Sequence, residues 1–189
     1  MSDLHRKQQA KVLRVFRKIH RTTGALLFIF FFFISISGLM LGWKKHSGGY
    51  LLADTGKGIS NDISGFLSVD SLHTRACYYL HTEVDTALSL KLDRIDFRPD
   101  KGAVKFVFAE GFWGVQLDAT TGQLLKIERR RSDFVENLHD GSILDRLAGT
   151  GGEIKVAYTS IMGLALLIFT ITGFWLWYGP KRMRAHNKN

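Results

Sequence analysis

Two long apolar runs frame a stretch in which hydrophobic and polar positions alternate. Residues 24–43 (GALLFIFFFFISISGLMLGW) carry no charged side chain across 20 positions, and residues 156–178 (VAYTSIMGLALLIFTITGFWLWY) carry none across 23. At about 1.5 Å of rise per residue the first run covers about 30 Å as a helix, the thickness of a bilayer's hydrocarbon core. The second is long enough to cross with some tilt. The first run follows a basic stretch, as a signal peptide would. It exceeds the length of such a peptide's apolar region and no small-x-small cleavage site follows it, so a retained helix is expected.

Between the runs the period shortens. Residues 70–84 (DSLHTRACYYLHTEV) predict a helix with Asp70 as its N-cap and Leu72, Ala76, Tyr79 and Leu80 on its apolar face. Runs at 90–97, 103–109, 112–118 and 123–127 predict strands, separated by turns at 99–102, 110–111 and 119–122. Alternation is clearest in Val104, Phe106, Phe108 and in Phe112, Val115, Leu117. One sheet face is then covered by the preceding helix, an α+β arrangement. Residues 132–147 predict broken amphipathic turns on the outer membrane surface, joined by a GTGG link (149–152) to the second apolar run. Residues 1–18 are basic with interleaved apolar positions. They read as a lead-in continuous with the first helix or lying in the interface, and for 1–10 a disordered tail is an equal reading.

The expected organisation is therefore a cytoplasmic basic segment at 1–18 and a first transmembrane helix at 19–45. An α+β domain at 46–131 and a membrane-surface segment at 132–153 follow, then a second helix at 154–179 and a basic tail at 180–189. Lys and Arg set this orientation. Arg6, Lys7, Lys11, Arg14, Arg17, Lys18 and Arg21 precede the first helix, and Lys181, Arg182, Arg184 and Lys188 follow the second, so both termini are expected inside and the middle outside. The formal net charge of +9 is accounted for mostly by these anchors near anionic lipid, not by nucleic acid. The one cysteine, Cys77, has no intrachain disulfide partner.

The histidines carry the chemistry. Of the seven, His20 lies at the inner boundary of the first helix, His46 just beyond its outer end, and His139 in the segment before the second helix. Projected at about 100° per residue, His20, Gly24, Phe31, Ser35, Gly38, Gly42 and His46 fall within about 80° of one another. Gly38-x-x-x-Gly42 is a close-approach motif. Thr159, Gly163, Thr170, Gly173 and Trp177 form a matching stripe on the second helix. Two helices are too few to enclose an interior, so a homodimeric four-helix bundle is expected. Such a bundle can hold haem, with imidazoles as ligands and glycines making room for the porphyrin. The same residues also suit interfacial anchoring and simple helix packing. His73 and His81 read as surface residues of the soluble helix, and His5 and His186 as solvated tail residues. No P-loop, dinucleotide fingerprint, hydrolase triad or zincin motif is present, and catalytic residues are not identifiable.

IHRTTGALL (19–27) followed by ISGLMLGW (36–43) resembles the first helix of the PepSY-associated transmembrane family. ENLHDGSILDRL (136–147) followed by MGLALLIFTITGFWLW (162–177) resembles its His-Gly element and Thr-Gly-x-x-x-Trp helix, and WGVQLDATTGQLLKI (113–127) resembles the closing hairpin of a PepSY domain. The resemblance spans roughly residues 15–182 and rests mainly on the two membrane motifs. It implies a bacterial inner-membrane protein tied to iron acquisition, with a periplasmic PepSY-like domain. Some relatives are haem-b proteins that reduce ferric iron or ferric chelates in the periplasm; for this chain the electron donor is open, a flavin or a quinol being candidates. His20 and His139 match family histidines, whereas His46 rests on position alone. Larger members carry four or more helices, so here a second copy would supply the rest. The metal ligands expected are His20, His139 and His46, with Gly24, Gly38, Gly42, Gly163 and Gly173 around haem b. His20 would pair with its own copy across a twofold axis, and His139 with His46, within or between protomers. A straight helix would separate His20 from His46 by about 39 Å. The alternative reading is a non-enzymatic PepSY module that binds a periplasmic partner or serves an iron importer as an accessory subunit.

Overall fold

The structure is a computed structural model that describes residues 3–186, with side chains placed over 7–184. It divides into two compact units, Met1–Leu39 with Asn137–Asn189, and Met40–Glu136.

The first unit is built on α1 (Asp3–Trp43) and α5 (Glu153–His186), both long and apolar enough to cross a membrane. The basic lead-in is continuous with α1 from Asp3 onward, which decides between the readings of residues 1–18 as far as they are described. Aromatic side chains bridge the two helices: Phe16 meets Trp175, His20 stacks on Phe169 at 3.9 Å, and Phe31 lies 5.7 Å from Phe169. The helix backbones stay largely apart. Outward faces remain uncovered, with Leu26, Phe28, Leu39, Leu164 and Val156 all more than half exposed. In water such surface would be costly, so it calls for lipid or further helices.

α1 stops at Trp43. Residues Lys44–His46 form a 3-10 turn, and the Ser47 hydroxyl donates back to the Lys44 carbonyl at 2.7 Å. Gly48 and Gly49 then take left-handed conformations that no helix continues through. His46 therefore falls off the helical stripe expected for it.

The second unit is a four-stranded antiparallel sheet, β1 (Leu92–Arg98), β2 (Ala103–Phe108), β3 (Trp113–Asp118) and β4 (Leu124–Arg129), in sequential order. Helix α2 (Val69–Glu83) covers one face. Its N-cap is Ser68, whose Oγ accepts from the Ser71 N–H, not Asp70, which sits in the first turn where a carboxylate favours the helix dipole. Leu72, Ala76 and Leu80 pack on Val104, Phe106, Phe108, Val115 and Leu117, all essentially inaccessible. Register pairs Val104 with Leu117 and Phe106 with Val115, so the apolar rows of the two central strands lie directly opposite.

The other sheet face is covered too, contrary to the one-sided sheet expected. The segment 51–60 drapes over it: Gly56 N–H donates to Gln116 Oε1, Gln116 Nε2 donates to the Asp54 carbonyl, and Ile59 N–H donates to Asp118 Oδ2. Lys105, Gln116, Asp118 and Glu128 are consequently buried. Their polarity disguised this as a solvent face, but each is bonded or ion-paired: Gln116 Nε2 also donates to Glu128 at 2.9 Å, and Lys105 lies 3.6 Å from Glu128. Burial pushes the Lys105 ammonium down from its ordinary value, against the pull of Glu128.

The turns expected at 132–147 are two short helices, α3 (Arg131–His139) and α4 (Ser142–Ala148).

Candidate functional site

His20 and His139, the two histidines singled out by the motifs, each lie against a glycine of α1 or α5. His20, on α1, reaches α5: a Cβ built on Gly173 would sit 3.2 Å from its Cε1. His139, at the end of α3, reaches α1: a Cβ on Gly38 would sit 3.5 Å from its Cε1. A Cβ on Gly24 would sit 3.0 Å from the Phe169 ring. Gly42 and Gly163 face open space. Thus Gly38 and Gly173 seat side chains of the same chain. Gly38-x-x-x-Gly42 does not bring α5 close to α1.

The hydrogen bonds determine which ring nitrogen carries the proton. Thr172 Oγ1 donates its only proton to the Ile168 carbonyl at 2.7 Å, and Ser37 Oγ donates its own to the Phe33 carbonyl, also 2.7 Å away. Both hydroxyls therefore face histidine as acceptors. His20 Nδ1 lies 3.0 Å from Thr172 Oγ1 and 3.1 Å from the Phe169 carbonyl, which only accepts. His139 Nδ1 lies 2.8 Å from Ser37 Oγ. Each Nδ1 then faces its hydroxyl as the N–H donor, and in the neutral ring that tautomer leaves the lone pair on Nε2. No hydrogen bond to either Nε2 is made among the described residues.

His139 is placed by the residues that follow it. Gly141 has φ +80 and packs so tightly on Tyr158 that a Cβ would lie 2.6 Å from its ring, so a side chain there meets both strain and a clash. Asp140 accepts from the Ser142 N–H and pairs with Lys155 Nζ at 2.5 Å. Burial would raise the Asp140 carboxyl, but the bonds from Lys155 and Ser142 hold it below the usual range. Asp145 accepts the Ile154 and Lys155 N–H groups at the start of α5, together with the Thr150 hydroxyl. The Thr150 bond leads in holding its carboxyl low. The His-Asp-Gly element is thereby fastened to the first turn of α5.

Beside His139 lies a cleft of about 260 Å³, lined also by Phe31, Ile34, Ser35, Tyr158 and Gly163. Measured along α1, the level of His20 and the level of Ser37 are about 25 Å apart.

The remaining histidines have other settings. His46 is exposed in the 3-10 turn of the Met40–Glu136 unit. His73 Nε2 contacts Cys77 Sγ at 3.4 Å and its ring packs on Phe106, while His81 Nε2 bonds the Leu88 carbonyl at 2.9 Å. Both serve α2 locally. Burial pushes the Cys77 thiol up, which disfavours the reactive thiolate. The side chains of His5 and His186 lie outside the described residues. No group of three or more His, Cys, Asp or Glu side chains is positioned for a metal ion among the described residues.

Sequence reasoning named the two histidines and missed their acceptors. It placed Ser35 and Thr170 on the stripes, where the structure uses Ser37 and Thr172. The available signal was adjacency: each hydroxyl residue immediately precedes the glycine on which the histidine rests. No family model matches the chain, and no curated protein matches it.

Proposed function

We propose that the chain is a haem-b protein of the bacterial inner membrane that passes electrons outward to ferric iron or a ferric chelate, two copies forming a four-helix bundle. The observation that supports this most is the shared setting of His20 and His139: each is held through Nδ1 by a hydroxyl, an arrangement that in the neutral ring leaves the Nε2 lone pair available. That is the form in which imidazole ligates iron, with a carbonyl or hydroxyl fixing the ring from behind. Haem, when bound, supplies the one-electron chemistry.

The donor set fits that group, because axial ligation needs only one or two imidazoles per iron and no wider metal cluster. Gly163 leaves room in the cleft that His139 lines. Thr172, the Phe169 carbonyl and Ser37 hold the rings. A second copy would complete each level, with its own His20 at the inner one and its own His139 at the outer one; His46, beyond the end of α1, is left out of the ligand set. With the outer level at Ser37 and not at the end of α1, the gap to cross falls from about 39 Å to about 25 Å. The basic tails favour both termini inside, next to a flavin or quinol donor, and the α+β unit outside.

The test is haem content and ferric reduction by purified variants. His139→Ala and His20→Ala are expected to lose haem or shift its spectrum, and to lose ferric reduction. His73→Ala is expected to match wild type. Full haem and full activity in both of the first two variants would overturn the reading.

A further inference from the structure

We infer that the Met40–Glu136 unit carries a binding site for an anionic phospholipid, in a cleft of about 490 Å³ lined by Met40, Tyr50, Phe112, Arg129, Arg131 and Phe134. The inference rests on the membrane-crossing reading, in which Met40, three residues before the end of α1, marks the outer boundary.

The basic side of the site lies where β4 ends at Arg129 and α3 begins at Arg131. In the run Arg129–Arg130–Arg131 the middle residue points inward and is consumed: Arg130 bonds Asp133 at 2.9 Å and Asp96 at 3.3 Å. Arg130 is buried at the edge of the cleft, whereas Arg129 and Arg131 are exposed. Arg131 lies 4.2 Å over the Tyr50 ring and donates to the Tyr50 carbonyl at 3.3 Å. Arg129 donates to the Gly111 carbonyl at 3.2 Å beside Trp113. Neither guanidinium makes an ion pair among the described residues. Both are held in place by aromatic faces and backbone carbonyls, with their charge uncompensated and further N–H groups available to phosphate oxygens.

The apolar side is also constructed. Phe112 has φ +57, a left-handed conformation that is strained for an aromatic residue, and its ring meets Phe134 edge-on at 5.8 Å. Gly111 and Phe112 are both left-handed in the connection between β2 and β3, a conformation that usually goes to glycine. The turn keeps a phenylalanine there and so supplies the cleft with an aromatic floor. Tyr50 and Phe134 are likewise exposed. Exposed aromatics at a helix end match the interfacial belt, where acyl chain meets headgroup.

No acidic residue lines the cleft. Nothing there would receive the ammonium of a zwitterionic headgroup, so the occupant is a net-negative phosphodiester lipid of the phosphatidylglycerol type. Two interfacial arginines make its capture on the order of thirtyfold more favourable than in their absence.

The experiment uses the full chain in nanodiscs of phosphatidylcholine doped with phosphatidylglycerol, with retained lipid counted by native mass spectrometry. Wild type is expected to retain phosphatidylglycerol selectively. The double variant Arg129→Gln, Arg131→Gln is expected to lose that selectivity by about thirtyfold. Lys57→Gln with Lys101→Gln, equal in charge but remote from the cleft, is expected to keep it. If the double variant aggregates, Arg131→Gln alone carries the test, with about fivefold expected. Equal retention by wild type and the arginine variants overturns the inference and leaves the membrane reading standing. Release of the lipid by millimolar inorganic phosphate also overturns it, because the site would then read a free anion. Recovery of the wild-type chain in detergent-free buffer overturns the membrane reading together with it.

Discussion

His139 donates from Nδ1 to Ser37 Oγ at 2.8 Å, and Ser37 directs its own proton to the Phe33 carbonyl. The serine thus fixes a histidine 102 positions away in the tautomer that leaves Nε2 available. Thr172 does the same for His20. Ser37→Ala and Thr172→Ala are each expected to weaken haem binding about 10- to 100-fold while leaving the α+β unit intact. Titration of the apoprotein with haem checks this, and Ser37→Thr is expected to restore binding. Unchanged affinity in both alanine variants would show that the tautomer is not held this way.

The glycines separate into two groups with different expected defects. Gly173→Leu and Gly38→Leu are expected to dislodge His20 and His139 respectively, because even a Cβ there comes within 3.5 Å of each ring. A Cβ on Gly42 or Gly163 meets nothing within 4 Å inside the chain, so Gly42→Leu is expected to affect assembly alone, whereas Gly163→Leu also fills the cleft beside His139 and is expected to lower haem content with the His139 ring left in place. Sedimentation in mild detergent, read beside haem content, distinguishes the two. A Gly163→Leu chain as dimeric as wild type would remove that glycine from the interface.

Asp133 links the acid stability of the α+β unit to a named pair. Burial would raise its carboxyl, but bonds from Arg130 at 2.9 Å and Arg94 at 2.6 Å outweigh that and hold it below the usual range. The folded value lies below the unfolded value of about 3.9, so its contribution is complete above about pH 4 and is lost as pH falls through the folded value. Asp133→Asn is expected to cost about 2 kcal/mol near neutrality, mostly from the buried Arg130 contact, since the Arg94 side is partly exposed. It is also expected to flatten the decline in melting temperature as the pH falls below about 4. An unchanged acid-side slope would assign that decline to other carboxylates, such as Asp118.

Much of this architecture was legible from period alone. The two charge-free runs, the helix around Leu72, Ala76 and Leu80 and the strands around Phe106 and Val115 all follow from apolar spacing. What spacing does not carry is the use of polar residues in covered places. Lys105, Gln116 and Glu128 read as a wet face because their partners lie far along the chain, in the 51–60 segment or on a neighbouring strand. Helical projection failed at His46 for a local reason: the chain leaves α1 at Trp43, and glycines with positive φ follow. It failed at Ser37 and Thr172 because a hydroxyl one step away from a stripe still reaches a long imidazole from the facing element.

Orientation is tested separately from chemistry. A reporter that works only in the cytoplasm, fused after Asn189, is expected to be active, and one inserted at the exposed Thr86 turn is expected to be inactive. The reverse pattern would invert the direction of electron flow proposed here and place the arginine cleft on the other leaflet.

The central claim is that this chain binds haem through His20 and His139. The most direct measurement is the dithionite-reduced minus oxidised absorption spectrum of the full chain purified from haem-replete cells. A Soret band that shifts on reduction, with sharp α and β bands that both His20→Ala and His139→Ala diminish, is the result expected. A colourless wild-type preparation, or a haem spectrum untouched by either substitution, would contradict the account.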